Sequence, residues 1–187
     1  MRKLIVSIEI TLDGVMQEMH DEQSWVFDYM GVDEAVDKYS NDLLMDEADA
    51  LIMGRTTYEG FRDYWPQQSE NEFGARMNSI PKYVASRTLS EPLTWENSIL
   101  LKDVVEDVKA LKQSNGKAIL QYGIGELTYT LIEHGLVDEL RLMVYPVVIS
   151  EGTRIFEHFM RVPMKLLSTK PFPSGVLLSK YQPENVK

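Results

Sequence analysis

The stretch "AILQYGIGELTYTLIEHG", residues 118–135, runs from an apolar strand through a Gly-Ile-Gly turn into a helix, and Gly135 supplies the stop. A related arrangement occurs earlier, in "LIMGRTTYEGF", residues 51–61. There Leu51 to Met53 is short and apolar, as a buried strand should be. Gly54 interrupts it, and Arg55, Thr56 and Thr57 stand at the mouth of a helix predicted from Thr57 to Tyr64 and ended before Pro66. Strands that alternate with helices in this way predict a parallel sheet covered on both faces.

The rest of the chain extends this pattern. Leu4 to Ile10 is rich in β-branched residues and reads as a strand, followed by an Asp13-Gly14 turn. Residues 18–31 read as a long loop. Residues 32–48 have helical spacing, with Val32, Val36, Tyr39 and Leu43 on one face and Asp33 as N-cap. Residues 67–79 are polar and read as a surface loop with a short helical piece. Strands are predicted at Lys82 to Ala85 and at 98–101, and an amphipathic helix at 103–115 that buries Val104, Val105, Val108 and Leu111. A long strand is expected over 137–149. Two more, 164–172 and 176–183, are joined at Pro173-Ser174-Gly175. The expectation is one three-layer α/β domain over 1–187, mostly parallel, with an antiparallel C-terminal hairpin.

Composition narrows the function. The 187 residues are 44% apolar and 26% charged, with a net charge of -10. An acidic surface disfavours nucleic acid and anionic membranes as partners. There is no cysteine, so disulfides, thiolate metal sites and a cysteine nucleophile are excluded. The N-terminal apolar stretch is short and broken by Glu9, unlike a signal peptide, and no run reaches the roughly 20 apolar residues of a membrane span. A cytoplasmic protein is expected. His20, His134 and His158 lack metal-site spacing, and no GxSxG elbow is present.

In an open α/β sheet, ligands bind beyond the carboxyl ends of the strands. The residues that follow the predicted strands are Thr11-Leu12-Asp13-Gly14, Gly54-Arg55-Thr56-Thr57, Ser86-Arg87-Thr88 and Gly123-Ile124-Gly125-Glu126. Two of these turns pair an arginine with hydroxyls, and the last opens a helix with glycines. Helix N-termini carry unpaired N–H groups and partial positive charge, and arginine grips phosphate bidentately. Two such turns and a second arginine suit a ligand with separated phosphates. Each feature also has an ordinary reading. Thr56 or Thr57 can cap a helix, Ser86-Arg87 can be a solvated turn, Gly123-x-Gly125 can serve tight packing, and Asp13 can simply make a turn. Neither GxGxxG nor GxxxxGK[ST] is present.

The order of these turns resembles the dihydrofolate reductase fold, and within it the reductase family of the riboflavin-biosynthesis C-terminal domain. The matching stretches are "TLDGVMQ" (11–17), "ADALIMGRTTYEGF" (48–61), "PKYVASRTL" (81–89), 121–156 and the closing "SGVLLSKYQP". The resemblance implies NADPH as cofactor. Gly54, Arg55, Thr56 and Thr57 would hold phosphates, and Ser86 and Arg87 would meet the adenosine 2′-phosphate. Gly123, Ile124, Gly125, Glu126 and Leu127 would form the pyrophosphate turn, and Asp13 and Gly14 would lie along the nicotinamide. Ile124 stands where dihydrofolate reductases carry a glycine, which favours the riboflavin-type branch. No deaminase zinc motif accompanies the domain.

A proton donor is needed, and Asp28, Asp33 and Glu34 are the candidates. Trp25, Phe27 and Tyr29 either line the pocket of a planar substrate or cap the core. The expected function is an NADPH-dependent reductase acting on a pyrimidine-like or pterin-like heterocycle or a carbonyl compound. A non-catalytic nucleotide-binding domain and a ligand-free dimerisation module are the alternatives. The apolar 137–149 strand, expected near a sheet edge, predicts a homodimer.

Overall fold

The computed structural model describes residues 1–16, 25–29, 31–157 and 161–184. Eight strands form one sheet: β1 (Leu4–Thr11), β2 (Ala48–Gly54), β3 (Lys82–Ala85), β4 (Ser98–Leu101), β5 (Ala118–Tyr122), β6 (Glu139–Tyr145), β7 (Met164–Pro171) and β8 (Leu177–Pro183). Their order across the sheet is β4-β3-β2-β5-β1-β6-β8-β7. The first six in that order pair in parallel, and β8 pairs antiparallel with both β6 and β7.

Among the described residues the α-helices are α1 (Glu34–Asp42), α2 (Arg55–Tyr64), α3 (Glu72–Ser79), α4 (Val104–Gln113) and α5 (Glu126–Glu133). Alternation along β1 divides the core. Leu4, Val6, Ile8 and Ile10 pack with Val108 of α4 and Leu131 and Ile132 of α5. Ile5 points the other way and joins Tyr58, Phe61 and Met77 of α2 and α3. A third cluster, built on Trp25, Val36, Met143, Tyr145 and Phe172, closes the β6–β8 side beneath α1.

Caps fix the helix ends. Asp33 caps α1 by accepting from the Ala35 N–H at 2.9 Å and also accepts from the Ser174 N–H at 2.9 Å, tying α1 to the β7–β8 turn. Gly135, at φ +65°, ends α5: the Leu136 N–H reaches Leu131 O and the Gly135 N–H reaches Ile132 O.

Several expectations are corrected. Residues 25–29 form a short 3-10 helix rather than loop. The helical spacing over 32–48 divides into α1 and a π turn at Leu43–Glu47, and Val32 is 63% exposed outside the helix. The polar 67–79 segment does carry the expected helical piece, α3. β6 is shorter than predicted and interior, flanked by β1 and β8, so the edge on that side is β7.

Candidate functional site

The carboxyl ends of β3, β2, β5, β1 and β6 lie side by side, so the turns singled out in the sequence gather at one rim. At β2 the N-cap of α2 is Gly54, and no side chain caps the helix, so neither Thr56 nor Thr57 fills that role. Thr56 is exposed and Thr57 half-buried in the first turn. Arg55 is half exposed, and its nearest ionic partner is Glu59, one turn on at 4.0 Å. At β3 the Ser86 hydroxyl accepts from the N–H groups of Thr88 (3.1 Å) and Leu89 (3.0 Å), and Arg87 is exposed.

At β5, Gly123 has φ +82°, a conformation that favours glycine, and its N–H donates to Ser7 O on β1 at 3.2 Å. Gly125 is the N-cap of α5, and its N–H reaches the Thr128 hydroxyl at 3.2 Å. A Cβ added at Gly54, Gly123 or Gly125 would meet nothing within 4 Å. Ile124 and Leu127 turn into the α4–α5 core, leaving only their backbone for a ligand. Glu126 is exposed at the start of α5, where its charge favours the helix dipole and opposes an incoming phosphate.

At β1, Asp13 is held by its own chain. Its carboxylate accepts from the Thr11 hydroxyl (2.6 Å) and from the N–H groups of Ser150 (2.9 Å) and Ile149 (3.4 Å), with Arg154 at 3.7 Å. The Thr11 hydroxyl above all pulls its carboxyl down to about 2. Asp13 therefore pins the 147–154 segment to the end of β1. Gly14, at φ +83°, closes the turn through its N–H to Thr11 O.

The proton-donor candidates separate. Asp28 and Glu34 are exposed. Asp33 is buried, and hydrogen bonds from Ser174 hold its carboxyl below the usual range, so it stays charged at neutral pH. Trp25 and Tyr29 meet edge-on at Tyr145, with ring centroids at 5.1 and 5.3 Å. The side chain of Phe27 lies outside the described residues.

The sequence reading passed over Glu9, treating it only as a break in an apolar run. It stands near the end of the central strand, on the side of Ser7 and Thr11 that faces α1 and α2. Burial pushes its carboxyl up to about 7, the neighbouring Tyr145 hydroxyl pulls the other way, and the Asp37 carboxylate adds to the rise. Glu9 is nevertheless only half-buried by surface area, so its carboxyl is ringed by protein without being sealed in. Beside it, the Tyr122 hydroxyl is buried without a hydrogen-bond partner among the described residues. Phe61 of α2 packs on the Tyr122 ring at 6.2 Å. A signal was available: a lone carboxylate in "LIVSIEIT", a strand of a sheet buried on both faces, is costly unless it serves something.

A concavity of about 560 Å³ lined by Asn41, Asp42, Met45, Asn71, Glu72 and Phe73 lies elsewhere. Its α1-side residues lead into the start of β2, away from the rim just described, and none of the candidates above lines it.

The model of the RibD C-terminal domain family matches residues 2–178. The chain is 33% identical over 186 residues to the uncharacterized protein YyaP of Bacillus subtilis, covering 96% of this chain and 94% of that one. Among solved structures it is similar to a pyrimidine reductase-like protein of Corynebacterium diphtheriae, with TM-score 0.63, 14% identity and coverage of 99% and 93%. It is also similar to a diaminohydroxyphosphoribosylaminopyrimidine deaminase/5-amino-6-(5-phosphoribosylamino)uracil reductase of Thermotoga maritima. There the TM-score is 0.65 at 15% identity, over 98% of this chain and 57% of that one. At such identities the two structures establish a shared fold. With the match running through nearly every element of the sheet, the chain belongs to the RibD C-terminal domain family.

Proposed function

We propose that this protein is a reductase that uses NADPH to deliver hydride to a small pyrimidine-like or pterin-like heterocycle or to a carbonyl compound. The observation that carries the reading is the rim at β3, β2 and β5. There the α2 amides have no side-chain cap, Gly54 and Gly125 leave open space, and Arg55 and Arg87 stand exposed. These residues fit a dinucleotide. The first-turn N–H groups of α2 and the arginine beside them would hold phosphate oxygens. Arg87 would take an additional phosphate, and the Ser86 hydroxyl, now an acceptor, still has its own proton to donate. Bound there, reduced nicotinamide supplies the hydride. Family membership supports the reductase class, and the Thermotoga relative's name as a 5-amino-6-(5-phosphoribosylamino)uracil reductase suggests the substrate type.

Isothermal titration tests the reading. Micromolar binding of NADPH, and weaker binding of NADH that lacks the 2′-phosphate, is the expected result. Binding of neither dinucleotide sinks it. Tight binding without NADPH oxidation in the presence of pterin, pyrimidine and aldehyde acceptors favours a non-catalytic nucleotide-binding domain instead.

A homodimer belongs to the same proposal, with its basis moved from β6 to the edge strand β7. Leu166 and Leu167 of β7 are 52% and 45% exposed, and this exposed leucine pair on an edge strand is the surface that a second copy would cover about a two-fold axis. Light scattering is expected to give twice the 21.5 kDa of one chain. A single-chain mass removes the dimer and leaves the reductase reading intact.

A further inference from the structure

Glu9 sits between the two walls of the rim. To one side is β5, whose Gly123 turn is hydrogen-bonded to Ser7, two residues from Glu9. To the other is β6, paired with β1 so that Glu9 lies opposite Met143 and Thr11 opposite Tyr145. Among the described residues no cation pairs with Glu9. We propose that Glu9 is the acid that protonates the substrate during reduction, with the Tyr145 hydroxyl orienting its carboxyl. The assignment rests on the reductase reading above.

The chemistry balances. Hydride arriving from the dihydronicotinamide forms a C–H bond at the carbon of a C=N or C=O group. The π pair moves to the heteroatom, which takes the carboxyl proton of Glu9. Glu9 is left as a carboxylate and regains its proton from water. The groups facing Glu9 suit this cycle. Tyr145 of β6 and Tyr122 of β5 are both pushed up by burial and stay neutral, while Asp37 of α1 resists a second negative charge nearby. Asp33, at the start of α1, is a further charged neighbour of Tyr145. A carboxyl poised near neutrality is protonated often enough to donate and acidic enough to let go.

The first test needs no substrate. Titration of NADP⁺ and NADPH at pH 7 in two buffers of different ionisation heat counts the protons released on binding. The oxidised ring is cationic and should drive Glu9 toward its carboxylate, so the wild type should release a few tenths of a proton more with NADP⁺ than with NADPH. The 2′-phosphate contributes equally to both and cancels. Glu9→Gln should bind both ligands within about threefold of wild type and lose that difference. Equal differences in wild type and variant overturn the assignment. If the wild type binds neither dinucleotide, the reductase reading falls first and takes this one with it.

Carboxyl ¹³C resonances provide a second readout on the free protein. A Glu9 midpoint near pH 7, absent in Glu9→Gln, is expected, and ionisation complete below pH 5 overturns the proposal. With 7,8-dihydrofolate or 4-nitrobenzaldehyde as acceptor, kcat should fall about 100-fold or more in Glu9→Gln. The NADPH KM should stay put and Glu9→Asp should recover part of the rate. An unchanged kcat overturns the role.

Discussion

The two ends of the sheet treat charge in opposite ways. At the amino end the buried cations are Arg2, Lys82, Lys112 and Arg141. Each is satisfied from within the chain. Arg2 pairs with Asp49 and donates to Lys117 O at 2.8 Å. Lys112 pairs with Asp138 and donates to Leu136 O at 2.6 Å. Arg141 reaches Glu47 and Glu139, each at 2.7 Å. Lys82 donates to the carbonyls of Met77, Asn78 and Ile80 at 2.8–3.0 Å, closing the end of α3. At the carboxyl end Arg55 has one partner at 4.0 Å, Arg87 is exposed, and α2 begins without a side-chain cap. Polar groups at the amino end are consumed by folding. At the carboxyl end Asp13 is also engaged by its own chain, but Arg55, Arg87 and the first-turn amides of α2 remain available, which is what a binding rim requires.

The contrast can be broken most forcefully at Lys82. Lys82→Met keeps the volume and removes the donor, leaving the buried carbonyls of Met77 and Ile80 without the ammonium, while Asn78 O keeps the Asn97 amide at 3.2 Å. The expected loss is about 2–4 kcal/mol of stability, read as a fall in melting temperature on the order of 10 °C. Dinucleotide affinity measured well below that temperature should not change. A small stability loss would mean that water or side-chain rearrangement replaces the ammonium, and the two ends would differ less than argued.

Next in size is the stability contribution of Glu9, which has the opposite character. Its carboxyl is raised from an ordinary value of 4.5 to about 7 on folding. The folded state therefore holds the proton more tightly. Stability from this group is fully present below pH 4.5 and is lost as pH rises through 7. Glu9→Gln removes that dependence. The variant should gain on the wild type by up to about 3 kcal/mol between pH 4.5 and pH 8, measured as urea midpoints at both values. A pH-independent difference would mean that folding leaves the Glu9 carboxyl at its ordinary value.

How much of this could be read from sequence depended on whether the signal was local. Strand, glycine turn and helix at 118–135 were legible because each is written in neighbouring residues. So was Asp33 as a cap. The 67–79 segment was legible as holding a short helical piece, but its polar composition and Gly74 did not show how it packs. In the structure that glycine is where α3 presses on the 3-10 turn before it, and a Cβ there would lie 2.0 Å from Gln68 O. The place of β6 was illegible for another reason. Strand order is set by long-range pairing, and an apolar strand looks the same at an edge or inside. Glu9 lay in plain view, but its significance comes from Tyr145 and Asp37, more than twenty residues away. The rim was legible as a set of turns, while Glu9 was legible only as a costly carboxylate in an apolar strand, without the partners that give it meaning.

The smallest effect on folding, and the sharpest test of the carboxyl-end rim, is Arg55→Ala. The Arg55–Glu59 pair is an exposed contact one helical turn apart, of a kind that contributes about 0.3–0.5 kcal/mol. Stability should therefore move by less than that. If the guanidinium instead meets phosphate, NADPH affinity should fall by about 1.5–3 kcal/mol, the worth of a charge-assisted hydrogen bond. That is roughly a 10- to 150-fold rise in Kd. Unfolding curves and calorimetric titration on the same preparation separate the two. A variant that loses stability and keeps its affinity would place Arg55 with Lys82, as a cation folding has used. One that keeps its stability and loses affinity would leave it as a cation held in reserve for a ligand, and Thr56, Thr57 and the open backbone of Gly54 would then be read with it as parts of one anion site.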